Sequence, residues 1–396
     1  MRRAGIATIM TSHFHFPDIR PIRAFLEERH VEFARKVAAG AETFHRRATP
    51  QDDASCRTEA RVLLELLGKE RWLDPIKSED WRSCCLAREA LGAVSPLADA
   101  VFALQALGSL PLLRSGSPRQ RELYALPAVS GRSMAAFAMT ERQAGSDVSA
   151  IATTATRDGD GYVLDGLKTY ISNAGIADFY TVFASTDLGA RNKGITCFVV
   201  PAHSPGLRFV GPQILSAPHP LGEIQFDGCR VAMENRVGEE GKGFSIGLGT
   251  LDRLRATVGA AACGMAARAL DEALRHARSR HQFGKPLGDF QIVQEKLARM
   301  ATELTAARLL VYRAAHAADS GAERVTLEAA MAKLHATEAA QRIVDDAVQI
   351  LGGQGVLASS PVDRLYRSVR ALRIYEGTSE VQHLVIAGLL LKENMK

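Results

Sequence analysis

No CxxC pair occurs among the six cysteines of this 396-residue chain, which lie at positions 56, 84, 85, 197, 229 and 263. Adjacent Cys84 and Cys85 are poor partners for each other, so reduced structural thiols in a reducing compartment are expected rather than a disulfide framework. The histidines form no HExxH, and no metal is expected. No apolar run approaches the roughly 20 residues that a membrane-spanning helix needs, so the chain reads as soluble, with no membrane span. Blocks of like charge are also missing. The net charge of +5 is spread along the chain, which suits a small polyanion such as a nucleotide at least as well as nucleic acid, and no nucleic-acid partner is expected.

Two nucleotide signatures are absent as well. The glycine cluster at 238–247 lacks the GxGxxG spacing and reads as a turn from a last strand into a helix. No GxxxxGK[ST] occurs, which leaves phosphoryl transfer on a P-loop without support. The start, Met1 to Met10, is basic, with no acid before Asp18, but it lacks the apolar stretch and cleavage site of a secretory signal. A mitochondrial transit peptide stays open there beside the untargeted, cytoplasmic reading that we take as the expectation.

What is present divides into three. From about 25 to 126 Ala, Leu, Glu and Arg dominate, and apolar residues three and four apart predict helices, as over 56–67 and 86–91. Pro75, Pro96, Pro111, Pro118 and Pro127 each mark a helix start or stop. After Gly131 short β-branched and aromatic runs follow at 162–164, 179–184, 195–200, 207–210 and 223–226, too closely spaced for helices between them. They predict antiparallel sheet or a small barrel. Helices return near Phe244: one over 252–280, one marked by Val293, Leu297, Met300, Leu304, Ala307 and Val311, and others over 326–351 and 378–391. The expected fold is therefore α+β. An all-helical N-terminal domain (18–130) is followed by a small antiparallel β-barrel domain (131–235) and a C-terminal four-helix bundle (236–396).

Three segments carry chemistry. In Met139 to Asp147 small residues let backbone N–H groups approach an anion or a flat ring. In Gly166 to Ala174 strand alternation puts Tyr170 and Ser172 on one face. In Ile374 to Glu380 a carboxylate, Glu376, stands next to Gly377 just before a helix and can reach into a cleft. Singly they read as a polar turn, a half-buried strand and an exposed loop acid. Together, in this order, they resemble the TEPxAGSD, GxKxxIxNA and YEGTS segments of the FAD-dependent acyl-CoA dehydrogenase family, and the resemblance runs from about Leu107 to the C-terminus.

The resemblance implies a set of roles. Glu376 is the catalytic base that removes the α-proton of an acyl-CoA, while the β-hydrogen leaves as hydride to flavin N5, giving a trans-2-enoyl thioester. Thr140 bonds the flavin pyrimidine, Ser146 lies near pyrophosphate and substrate, Tyr170 packs on the isoalloxazine, and Ser172 reaches its N5 side. Phe137, Met139, Gly145, Thr378 and Glu380 join the FAD-binding set. Arg280, Phe283 and Gln291 match an RxxFG…Q segment, and Gln349, Gly352 and Gly353 a QxxGG turn. The first of these serves the FAD of a neighbouring subunit, so a homotetramer is implied. Arg255, Tyr375 and Gly377 are expected at the substrate, Arg255 beside the catalytic loop or else in a surface salt bridge. Electrons are expected to pass to electron-transfer flavoprotein.

Some departures bear on the substrate. Leu254 occupies the position where other members place the acid, which leaves Glu376 as the sole motif-placed base. Arg142 replaces the usual proline and offers a cation to a phosphate; the glycine-rich loop expected near 68–81 holds one glycine; His219 reads as a solvated loop residue. Ala103 falls where the family's acyl pocket closes, with no chain length assigned. The rival readings are a dehydrogenase of carrier-protein thioesters or a flavin oxidase of the same fold, and a non-catalytic flavoprotein that binds nucleic acid.

Overall fold

The structure, a computed structural model, describes residues 16–393, so the basic start lies outside the described residues. Helices α1 (Glu28–His45), α2 (Asp53–Lys69), α3 (Asp74–Ser78), α4 (Trp81–Val94) and α5 (Pro96–Ser115) form the N-terminal region. Short turns α6 (Pro118–Gln120) and α7 (Leu126–Val129) follow, joined by a π-helical segment, Arg121–Ala125. Side chains stop the orphan N–H groups at the starts: Asp52 accepts from Ser55 N–H, Asp80 from Ser83 N–H and Ser95 from Ala98 N–H. Pro75, Pro96, Pro118 and Pro127 sit in first turns as expected, where a missing N–H costs nothing.

Pro111 does not mark an end; it lies inside α5. The expectation of no long apolar helix is corrected at the same element. Pro96–Ser115 is 20 residues long with a mean hydropathy of 1.4 over an 18-residue stretch, enough by length and composition to cross a membrane, but 83% of that stretch is buried inside the fold. A core helix enclosed on all sides is apolar all round, which erases the amphipathic stripe that would otherwise reveal it.

The middle region is one eight-stranded sheet in the order β6-β7-β3-β2-β4-β5-β8, with β1 also paired to β4. Its strands are β1 (Ala135–Ala138), β2 (Thr154–Asp158), β3 (Gly161–Ser172), β4 (Phe179–Ser185), β5 (Ile195–Pro201), β6 (Leu207–Pro212), β7 (Leu221–Ala232) and β8 (Arg236–Val237). The pairing is mostly antiparallel, with β4 parallel to β1 and, at one residue pair, to β2. β4 is buried along its whole length. Tyr180 and Val182 join one core, inside the sheet; Phe179 and Phe183 join another, shared with Leu112 and Ala128 of the helical region. Arg57 and Arg61 of α2 tie the two regions, Arg57 donating to Leu221 O at 2.9 Å and Arg61 pairing with Asp178 at 2.9 Å.

The C-terminal region holds α8 (Gly243–Ser279), a small hairpin of β9 (His281–Gln282) and β10 (Lys285–Pro286), α9 (Gln291–Asp319), α10 (Thr326–Leu351), α11 (Pro361–Leu372) and α12 (Ser379–Glu393). Helices α8, α9 and α10 pack on one another, and α11 and α12 pack on α10. α8 begins earlier than the expected 252, and α11 was not expected. Helix α4 lies backbone to backbone on α8: a Cβ at Gly264 would stand 2.0 Å from Glu89 O, and one at Gly92 2.5 Å from Ala261 O. This close crossing brings α4 under the loop that carries Glu376.

Candidate active site

The loop between α11 and α12 is held by its own carbonyls. Glu376 O accepts from Arg255 Nε at 3.2 Å on α8, and Gly377 O accepts from Lys333 Nζ at 2.6 Å on α10 and from Gln382 Nε2 at 3.1 Å on α12. Three helices thus fix a loop whose Glu376 and Gly377 lie at φ 55° and 95°, the left-handed region that a non-glycine residue enters only under restraint. Arg255 is buried, and Asp252 binds the same guanidinium, so the salt bridge and the loop contact are both present.

With its carbonyl engaged, Glu376 presents its side chain to the interior. Its Oε2 is buried without a hydrogen-bond partner. Burial raises its pKa above the ordinary carboxylate range; Arg88, Lys333 and Arg255 oppose the rise, and Asp99 adds to it. Leu254 is buried in the apolar core. Lys333 is itself pushed down to about 8 by burial, while Glu376 supports its charge.

The first two motif segments come together. Thr169 N–H donates to Thr140 O at 3.0 Å, and the fully buried Lys168 donates to Met139 O at 3.0 Å and to Glu141 at 2.8 Å. Phe137 packs on Phe183 with ring centroids 4.9 Å apart, whereas Gly145 and Ser146 are exposed. Tyr170 and Ser172 do not share a face through regular alternation. The register shifts between Lys168 and Ile171, and Tyr170 takes a left-handed φ of 56° with its ring 62% exposed. A bulge re-aims a side chain in this way.

Two side chains differ from expectation. His219 is not a solvated loop residue: it is half-buried, its Nε2 lies 2.7 Å from Ser172 Oγ, and burial pushes its pKa down to about 4. Arg142 is not free for a phosphate, because it forms a two-pronged pair with Glu223 at 2.9 and 2.7 Å.

Arg280, Phe283, Gln291, Gln349, Gly352 and Gly353 all lie on the exposed surface, Phe283 at 93%, and so does Glu380; Thr378 is half-buried and accepts from Val381 N–H. A cavity of about 560 Å³ between α1, α2, the loop at 214–219 and α11 is lined by none of the motif residues. His30, Asp80 and Asp319 bring ligand atoms within 4.8 Å of one another, but their hydrogen bonds are spent on the starts of α1 and α4.

The sequence reading missed Arg88, Asp99, Lys333 and Gln382. The signal was there for two of them: Arg88 interrupts a buried apolar helix, and Lys333 stands alone among the alanines of the buried face of α10. A charge kept at such a position is normally paired.

The donor set fits a flavin nucleotide. An open aromatic ring at Tyr170, a hydroxyl at Ser172, the exposed small-residue turn at Gly145 and Ser146, and the unpartnered acid at Glu376 offer stacking, hydrogen bonding and a base.

Comparison with known proteins agrees. Residues 136–229 match the family model described as the middle domain of acyl-CoA dehydrogenase, and residues 241–391 that of its C-terminal domain. The chain is 46% identical over 284 residues to 3-(aryl)acrylate reductase of Clostridium sporogenes, covering 71% of this chain and 75% of that one. It is 41% identical over 322 residues to a subunit of the caffeyl-CoA reductase-Etf complex of Acetobacterium woodii, covering 79% and 83%. The butyryl-CoA dehydrogenase structure from Megasphaera elsdenii superposes with a TM-score of 0.85 at 34% identity, covering 92% of this chain and 99% of that one. Fold, site and matches define an FAD-dependent oxidoreductase acting on CH–CH groups. The chain belongs to the acyl-CoA dehydrogenase family.

Proposed function

We propose that this protein dehydrogenates an acyl-CoA across its α and β carbons to a trans-2-enoyl-CoA, with Glu376 removing the α-proton. The observation that carries this reading is Glu376 Oε2, a buried carboxylate oxygen with no partner, on a loop fixed by three helices. An α C–H is a weak acid, so a positioned base with a raised pKa suits reversible proton transfer. The Glu376 backbone N–H is taken to polarise the thioester carbonyl, while Arg255 and Gly377 hold the loop and Tyr375 flanks the acyl group. FAD, when bound, accepts the β-hydride at N5.

Thr140, Tyr170 and Ser172 would hold the flavin ring, with Phe137 and Met139 behind it and Thr378 and Glu380 at its edge; Gly145 and Ser146 would meet the pyrophosphate. Arg280, Phe283 and Gln291 are assigned to a partner's FAD in a homotetramer, and Gln349, Gly352 and Gly353 to the nucleotide part of FAD, a reading supported by their exposure. Electron-transfer flavoprotein is the proposed acceptor, and the cytoplasm the proposed location, in keeping with six free, buried cysteines.

The test is anaerobic mixing of the FAD-loaded protein with a panel of acyl-CoAs. Bleaching of the flavin by one of them, with recovery on adding electron-transfer flavoprotein, is expected. Bleaching only by carrier-protein thioesters would move the activity to that rival.

A further inference from the structure

The loop that joins β6 to β7 runs along the bulge of β3 and holds it through two side chains. Gln213 accepts from Tyr170 N–H at 2.8 Å and donates to the Thr169 hydroxyl at 3.0 Å, so it pins the residue whose left-handed φ turns its ring outwards. Further along the same loop, His219 Nε2 lies 2.7 Å from Ser172 Oγ. Pro218 and Pro220 flank the histidine; each ring fixes its own φ, and Pro220 restricts His219 to extended backbone. The imidazole is therefore presented to Ser172 from a stiff segment. We propose that His219 is a positioning residue, which fixes the Ser172 hydroxyl so that its hydrogen points at the flavin nitrogen that takes the hydride. This deepens, and rests on, the FAD site and the acyl-CoA dehydrogenation proposed above.

Two observations separate this role from that of a latch on the loop. The loop is already fastened without the ring: Gln213 N–H donates to Leu221 O at 3.0 Å, Asn173 N–H to Pro220 O at 2.7 Å, and Arg57 to Leu221 O at 2.9 Å. The ring is also neutral, because burial, helped by the Arg57 charge, pushes its pKa down to about 4. A neutral imidazole offers one N–H and one lone pair, and a serine hydroxyl one hydrogen and two lone pairs. With Nε2–H donating to Ser172 Oγ, the serine keeps its own hydrogen for the lone pair that N5 of an oxidised flavin carries. Without the imidazole the hydroxyl is free to rotate away. A donor held at the atom where negative charge gathers binds more strongly as that charge develops, so its orientation acts on the reductive step and on the flavin's potential.

The experiment measures the two-electron midpoint of the FAD-loaded protein by anaerobic titration against a redox dye. Stopped flow gives the rate constant for flavin reduction and the Kd of an acyl-CoA that bleaches the wild type. His219→Leu should lower the rate constant about 3- to 10-fold with Kd unchanged, as befits one hydrogen bond, and lower the midpoint by about 15 to 30 mV, the same factor in the redox equilibrium. His219→Gln, which carries an N–H near the place of Nε2, should recover most of both. Ser172→Ala should lose at least as much as His219→Leu, and combining the two should change nothing further, because the ring acts only through that hydroxyl. Losses that add in the double variant overturn the proposal, and so does a midpoint that is unchanged or raised in His219→Leu. If His219→Leu fails to fold, His219→Asn, polar but too short to reach Ser172, takes its place with the same expected losses. The midpoint needs no substrate, so a flavin bleached by no acyl-CoA removes the dehydrogenation while the midpoint still decides the role of His219. A protein that takes up no FAD overturns both.

Discussion

Lys333→Met isolates the role of the lysine that braces the loop carrying Glu376. The substitution keeps a linear side chain and removes the ammonium that donates to Gly377 O at 2.6 Å. A hydrogen bond from a charged group is worth about 1.5–3 kcal/mol, so an unbraced loop should lose roughly 10- to 100-fold in the reductive step. The pH dependence should move too. Burial raises the Glu376 pKa and Lys333 opposes that rise, so without the lysine the carboxylate holds its proton to higher pH. A base works only when ionised, and the acidic limb of the pH–rate profile should therefore shift upwards. Folding should be spared, because burial already disfavours the charged form of Lys333, pushing its pKa down to about 8. Stopped-flow flavin reduction by an acyl-CoA between pH 5 and 9, with thermal unfolding beside it, reads all three effects. An unchanged rate and an unmoved acidic limb would refute the bracing.

Other outcomes follow from the same geometry. Arg142→Ala should leave FAD content unchanged, since the guanidinium is spent on Glu223; loss of FAD on gel filtration would show a phosphate contact instead. Phe283→Asp, at an apolar side chain 93% exposed, should yield smaller species that release FAD, measured by light scattering and absorbance; a variant that stays tetrameric and yellow would contradict the shared-site reading. Lys168 is fully buried and its pKa falls to about 8, below that of the unfolded chain. The unfolded state then binds more protons between about pH 8 and 10, so the urea stability of the wild type relative to Lys168→Met should rise across that window; a fall would reverse the sign. Gly264→Ala should lower stability by about 1–3 kcal/mol, because its Cβ would meet Glu89 O of α4 at 2.0 Å; an unaltered urea midpoint would argue against the close crossing.

The sequence was most legible where local signals repeat. α10 was expected over 326–351 and spans Thr326–Leu351, and β4 and β5 fell where apolar runs ended at polar or proline residues. The buried helix α5 hid its length, because a helix enclosed on all sides loses its stripe and Pro111 inside it imitates an end. The bulge at Tyr170 was invisible to strand alternation, since the register shift belongs to the pairing of β3 with β7. In the site, Glu376 was readable from its own loop, but its environment was not. Arg88 and Asp99 stand on the neighbouring helices α4 and α5, but Glu376 and Lys333 lie more than 200 residues further on, and only the packing of α4 and α5 on α8 and of α10 on α8 and α12 gathers these charges around Glu376. Arg142 shows the same limit: it stands in a turn, and its partner Glu223 lies 81 residues further on, in β7.

The central claim rests on one side chain. Glu376→Gln keeps the loop carbonyl contacts to Arg255 and Lys333 and alters only the atoms that take the proton. Anaerobic mixing of this variant with an acyl-CoA that bleaches the wild type should leave FAD bound and the thioester bound, with flavin reduction slowed about 100- to 10,000-fold. Bleaching at the wild-type rate would contradict the assignment of Glu376 as the base.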